Sequence, residues 1–264
     1  MSRELARGAA RRVAPGYVAN RARRYERALR QRNGATDLAQ RLVANGRPVV
    51  RAGPFAGLTY PAGRLADVDA AIAKLLGTYE REIAWVFERA IALRLPTFID
   101  IGCADGYYAA GMAHASPSTT TLAYDLASSA RELCAETATA SAVRERVRIR
   151  KRFTVDSLSA VDPAGALVLC DIEGGEVELL GSSAAAALRA SVVVVEVHED
   201  ERPGAGDRLR AAFAHTHTCL TISQQPRRDA PAPLADWGVN DRVHALREFR
   251  GPLLHWMLFE PRGR

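Results

Sequence analysis

The sequence predicts an α/β fold, a Rossmann-like, doubly wound, seven-stranded and mostly parallel sheet with an N-terminal helical cap. Three observations carry that prediction. From residue 96 onward, short β-branched or apolar runs alternate with Ala-rich stretches of helical length, the pattern of βαβ units with right-handed crossovers. The first run ends in a glycine-rich turn that leads into a helical stretch, FIDIGCADGYYAAGMA at 98–113. The composition is that of an ordinary globular chain of 264 residues, 48% hydrophobic and 25% charged, which excludes a disordered chain, a fibrous repeat and a disulfide-stapled mini-protein.

Residues 1–34 form an Arg-rich arm. They hold ten Arg against Glu4 and Glu26, a net of +8, which leaves −2 of the formal +6 for everything that follows. Lys occurs only at 74 and 151, a bias expected of a GC-rich genome. After Pro15-Gly16, Val18, Ala22, Tyr25 and Leu29 place one apolar stripe on an otherwise cationic helix. Such a helix either docks on its own domain or meets an anionic membrane, an RNA or a protein partner.

Residues 35–95 read as the cap. Thr36 starts a short helix that carries Leu38, Leu42 and Val43 and stops at Asn45-Gly46. The Gly/Pro-rich stretch at 53–63 reads as turns or a short hairpin. Helices follow over Val68 to Leu76 and Glu80 to Leu93.

Residues 96–264 supply the sheet domain. Its candidate strands are Thr97–Ile101, Thr121–Tyr124, Val147–Arg150, Ala166–Cys170, Ser191–Val197, Cys219–Ser223 and Leu253–Phe259. The last is expected to be antiparallel. Cys103, Cys134, Cys170 and Cys219 form no C-x-x-C pair and read as reduced, buried residues. No apolar run approaches the roughly 18–20 residues of a membrane span. The start lacks the apolar core of a secretory signal, so a soluble, cytoplasmic protein is expected.

In such sheets ligands sit outside the carboxyl ends of the strands. There Asp100, Gly102 and Gly106 make a D-x-G-x-x-x-G turn that also holds Cys103, Ala104 and Tyr107. Without Cβ atoms the backbone can bend sharply and lie against a ligand beside the amino terminus of a helix. A second acid, Asp125, ends the next strand in TLAYDL, with Leu126 after it, where a carboxylate can accept both hydroxyls of a ribose. The dinucleotide fingerprint spaces its first glycines two apart to admit a pyrophosphate; here they are four apart. The arrangement resembles the S-adenosylmethionine site of class I methyltransferases, whose usual middle glycine is Ala104 here.

The fourth strand runs into LVLCDIEGGEVELLG at 167–181, which sets Asp171, Glu173 and Glu176 at the mouth of that site. This segment resembles the D-x-E-G-x-E motif of the FkbM family of methyltransferases, with Gly181 following Leu180 directly. KLLGTYEREI at 74–83 and VVVVEVHED at 192–200 resemble further segments of that family, and HTHT at 215–218 and the stretch 248–261 do so less closely. The resemblance spans about residues 50–261 and leaves out the arm. It implies methyl transfer from S-adenosylmethionine to the hydroxyl of a small molecule, a sugar or secondary metabolite.

An alcohol acceptor needs its proton removed. His198, at a strand end beside Asp171, is the first candidate base, with Asp171 and Glu173 as partners. Asp171, Glu196 and His198 offer instead a site for a divalent cation such as Mg²⁺ that acidifies the acceptor. Tyr79 and Glu80 either close over the cofactor or simply start a helix. Trp256 reads as core, and His215 and His217 carry no assignment. An RNA methyltransferase that uses the arm, a non-catalytic cofactor-binding relative and a homodimer remain alternatives.

Overall fold

In a computed structural model of the chain, the structure describes residues 34–44, 46–160, 163, 165–227, 231–248 and 254–263. The Arg-rich helix read at the amino terminus lies outside these residues.

Seven strands form one sheet: β1 Thr97–Ile101, β2 Thr120–Tyr124, β3 Val147–Arg150, β4 Leu167–Cys170, β5 Val192–His198, β6 His217–Ser223 and β7 Leu254–Pro261. Their order is β3-β2-β1-β4-β5-β7-β6, with β7 antiparallel to both neighbours and every other pairing parallel. This is the Rossmann-like fold of class I methyltransferases. The chain winds outward from β1 to β3 and then returns to lay β4 beside β1. The sheet therefore has its topological switch between β1 and β4, where a crevice opens at the carboxyl ends.

Helices cover both faces, and the strands are accordingly apolar on both sides. Phe98, Leu167, Leu169, Val194 and Leu258 pack toward one face; Ile99, Val168, Val193, Val195 and Phe259 pack toward the other. By the same alternation Asp100 lies on the face of Phe98, and Glu196 and His198 lie on the face of Val194.

That face carries the cap. Its helices are α1 Ala35–Val43, α2 Ala71–Leu76 and α3 Arg81–Ala92. The expected helix over Val68 to Leu76 is shortened to Ala71–Leu76: Val68 is extended after a 3₁₀ turn at Leu65–Asp67, and Ala70 stands before α2 in the left-handed region. The Gly/Pro-rich stretch closes as a small hairpin through an antiparallel bridge between Val49 and Thr59. Aromatic rings join the cap to α4 Tyr107–Ala115, with Phe87 stacked on Tyr108 at 4.7 Å and Phe55 edge-on to Tyr107 at 5.1 Å. Arg64 pairs with Glu136 of α5 Ser128–Ala140 at 2.5 Å.

The remaining helices are α6 Glu176–Leu179, α7 Ser182–Ala187, α8 Ala205–Phe213 and α9 Val239–Ala245. The last belongs to a long connection between β6 and β7 that also rises over the carboxyl ends. Its Asp241 pairs with Arg41 of α1 at 2.8 Å, and the Arg41 guanidinium lies 4.3 Å from the Trp237 ring centroid. The helical cover is thus built from two separate segments of sequence, one carrying α1 to α3 and the other carrying α9.

Candidate active site

The turn after β1 hangs on the end of β2. Gly102 and Cys103 both donate their N–H to the Tyr124 carbonyl, at 2.8 and 3.0 Å. Gly102 has φ 99°, and a Cβ there would overlap the Asp171 carbonyl oxygen, so the ends of β1 and β4 meet closely only because the side chain is absent. Gly106, φ 84°, starts α4, and a Cβ there would press on Cys134, 3.0 Å from its Cα. Ala104 also adopts a left-handed conformation, φ 44°, in the place of the usual glycine. Its N–H donates to Asp125 Oδ2 at 3.1 Å, while Asp125 Oδ1 accepts from Ala127 at 2.9 Å. Leu126 beside it is exposed.

Three carboxyl groups, those of Asp100, Asp125 and Asp171, stand at the carboxyl ends of β1, β2 and β4, while Asp105 in the turn pairs with Lys74. Burial pushes the Asp100 carboxyl well above its ordinary range, and the charges of Asp171, Asp125 and Asp105 push it further. Asp100 Oδ2 is buried with no hydrogen-bond partner among the described residues.

Next to the crevice, β4 and β5 assemble an imidazole among acids. His198 Nδ1 lies 2.9 Å from Glu176 Oε1, while its Nε2 lies 3.5 Å from Glu173 Oε2 and 3.7 Å from Asp171 Oδ1. Glu176 Oε1 also accepts the N–H groups of Ile172, at 3.3 Å, and Gly174, at 3.0 Å. One buried carboxylate thus fixes both the histidine ring and the loop that presents Asp171 and Glu173. Within that loop Glu173 is left-handed at φ 59°. Burial lowers the His198 pKa, but the Glu176 hydrogen bond and the charges of Asp171, Glu196 and Glu176 outweigh it and raise it to about 11. With no cation bound, His198 is an imidazolium at neutral pH, a proton donor at Nε2. One ligand atom from each of Asp171, Glu196 and His198 lies within 4.8 Å of the other two, a donor set fit for one cation. The Asp171 Oδ1 atom, buried and without a hydrogen bond among the described residues, is suited to it.

Tyr79 and Glu80 lie between cap and turn. The Tyr79 ring is edge-on to Tyr107 at 5.4 Å, and Glu80, left-handed at φ 46°, accepts the Tyr108 hydroxyl proton at its carboxylate while starting α3. Its N–H donates to Glu248 at 3.3 Å. Glu248 and Glu82 are both bound by Arg227, with Glu82 held bidentately at 2.7 and 2.8 Å.

The partners of two residues do not show in the sequence. Glu176 reads only as one more acid of its motif. Lys74 was hidden on the apolar face of a short helix, though one of only two Lys in the chain. His217 stands at the amino end of β6, away from the crevice, with Nε2 at 3.0 Å from the Ser191 carbonyl. His215 lies in the turn before it. Trp256 is fully buried. Cys103, Cys134 and Cys170 are buried thiols, whereas Cys219, expected to be buried too, is half-buried because it sits on the edge strand β6.

No protein-family model matches the chain, and no curated relative matches its sequence. Among solved structures, the O-methyltransferase TomG of Streptomyces achromogenes is 17% identical, covering 66% of this chain and 76% of its own, with a TM-score of 0.46. An S-adenosylmethionine-dependent O-methyltransferase of Thermotoga maritima is 13% identical over 70% of this chain and 67% of its own, TM-score 0.47. The O-methyltransferase of Bacillus cereus, solved with S-adenosylhomocysteine, is 12% identical over 73% and 96%, TM-score 0.45.

Proposed function

We propose that this chain is an S-adenosylmethionine-dependent methyltransferase of FkbM type that methylates a hydroxyl group of a small molecule, a sugar or secondary metabolite. One observation carries the reading: an acid-lined crevice at the sheet's switch point opens beside an imidazole held between Glu176, Glu173 and Asp171.

The crevice suits a cationic cofactor. Asp100 stands beside Asp171 and Asp125 there, whose charges disfavour its ionised form, and a positive sulfonium and ammonium would relieve that repulsion, whereas a dinucleotide's pyrophosphate would add to it. Asp125 would receive the ribose hydroxyls with Leu126 alongside, and the turn from Gly102 to Gly106, with Cys103, Ala104 and Tyr107, would lie against the methionine end. Tyr79 and Glu80 would complete that end from the cap, and the orphaned Asp100 oxygen would face the ammonium. When bound, S-adenosylmethionine supplies a methyl group already activated by sulfonium charge, so the protein's work is alignment and proton removal.

For the proton, the gap bounded by His198 Nε2, Asp171 Oδ1 and Glu173 Oε2 suits a hydroxyl. Nε2–H donates to the acceptor oxygen, and a carboxylate oxygen of Asp171 or Glu173 takes its proton. The imidazolium then steadies negative charge as it develops on that oxygen. A divalent cation held by Asp171, Glu196 and His198 would require neutral His198 and would acidify the hydroxyl directly.

Labelled S-adenosylmethionine incubated with the protein and fractionated extract of the source cells, with and without chelator, tests the reading by the mass of the product. A labelled O-methyl product supports it; label in RNA only, or none in any fraction, overturns it. Loss of product with chelator assigns the proton step to the metal, and full turnover in His198→Ala removes the role given to His198.

A further inference from the structure

The strongest feature left unused by this chemistry is a buried ion pair that ties the cap to the cofactor turn. Lys74, on α2, and Asp105, one residue before Gly106, are each about 3% exposed. The Lys74 ammonium binds Asp105 Oδ2, and it lies 4.7 Å from the centroid of the Tyr79 ring and 5.6 Å from that of Tyr107. The other carboxylate oxygen, Oδ1, accepts the Tyr107 N–H at 3.1 Å and the Tyr60 hydroxyl at 3.3 Å. Three cap residues, Tyr60, Lys74 and Tyr79, therefore converge on one turn of the sheet domain, and two of them bind a single carboxylate.

Burying two charges is costly before their attraction repays it, and a pair of apolar side chains would hold cap to body equally well. What an ion pair adds is a fixed geometry: the carboxylate must stay where ammonium, hydroxyl and N–H can all reach it. The N–H that Asp105 binds begins α4, the helix whose amino terminus faces the crevice, and Ala104, just before it, is left-handed and held by Asp125.

We propose that Lys74 is a positioning residue for the cofactor: through Asp105, and steadied by the faces of Tyr79 and Tyr107, it holds the 102–106 turn in the shape that binds S-adenosylmethionine, so that cap and cofactor site act as one unit. This rests on the cofactor reading above. It assigns Lys74 no contact with the cofactor and makes the cap a determinant of affinity as well as a cover.

Calorimetry with S-adenosylhomocysteine and S-adenosylmethionine on full-length wild type, Lys74→Met, Asp105→Asn, the double variant and Tyr60→Phe tests it, with thermal unfolding of each ligand-free protein alongside. Lys74→Met leaves Asp105 buried without its countercharge, so both ligands are expected to bind about tenfold or more weakly. The double variant keeps an acceptor for Tyr60 and Tyr107 and removes both charges, and is expected to recover to within about threefold of wild type. Tyr60→Phe removes one hydrogen bond and is expected to cost about threefold.

Affinity for S-adenosylhomocysteine within about twofold of wild type in folded Lys74→Met overturns the proposal. So does an affinity rise confined to S-adenosylmethionine, which would make Lys74 a charge balance only. If neither single variant folds, the double variant and Tyr60→Phe decide: recovery in the first with weakening in the second supports the proposal, and any other result overturns it. Wild-type protein that binds neither ligand would instead refute the cofactor reading on which the proposal stands.

Discussion

A strand-end imidazole ordinarily titrates near neutrality, and the surroundings of His198 move it away from there. Burial disfavours the charged ring, yet Glu176, Asp171 and Glu196 together raise its pKa to about 11. A histidine pKa raised by folding contributes stability that is complete below its ordinary value of 6.5 and is lost as pH climbs through about 11. In chelator-treated protein the His198 ring signals in NMR should therefore keep imidazolium shifts from pH 6 to 9; a midpoint below 7.5 would contradict this. Asp100 makes the opposite case, since its raised pKa means that ionising it at neutral pH costs stability. Asp100→Asn is expected to stabilise the ligand-free protein, by about 1 kcal/mol or more, and to weaken S-adenosylmethionine binding, as unfolding and calorimetry would show. Ala104→Gly, at φ 44°, should gain about 0.5–1 kcal/mol with cofactor affinity retained.

Residue types at the site were legible because their motifs are local: Asp100 to Gly106, Asp125 and Asp171 to Glu176 each lie in one strand-to-helix turn. Their interactions were not. Glu176 binds a histidine 22 residues on, and Lys74 meets an acid 31 residues on. Distances of that kind depend on how elements pack, and the sequence of either residue's neighbours carries no sign of them.

Among the elements, β1 and β3 have the bounds expected from their apolar runs, and the other strands differ by one or two residues at one or both ends. The helices of the cap are less regular than their periodicity suggests, because Ala70, Gly77 and Glu80 place left-handed residues between short pieces. The connection from β6 to β7 carries the short α9, which exposes Val239 and Val243. It is clamped to α3 by Arg227, which binds Glu82 and Glu248, both nearly fully buried. Burial raises the Glu82 pKa, but the hydrogen bonds from Arg227 and the Gln225 N–H more than offset it, so the value is lowered. The stability gained from Glu82 is therefore present above its ordinary pKa of 4.5 and fades as pH falls below it. Arg227→Ala strands two buried acids and should cost about 3–5 kcal/mol in urea unfolding. A loss under 1 kcal/mol would show that the clamp is not what fastens the connection.

Across the whole molecule, charge is divided between the arm, +8, and the remaining chain, −2, and every candidate site residue lies in the latter. Deleting residues 1–34 should leave methyl transfer to a small hydroxyl acceptor unchanged, whereas an RNA methyltransferase would lose substrate binding with the arm. The central claim is that the carboxyl groups of Asp100, Asp125 and Asp171, at the switch point of the sheet, receive a cationic cofactor. Calorimetric titration of the purified chain with S-adenosylmethionine and, separately, with NAD tests it most directly. The account predicts saturable binding of S-adenosylmethionine at one site per chain, weakened in Asp125→Ala, and no heat from NAD. Binding of NAD with none of S-adenosylmethionine would contradict it.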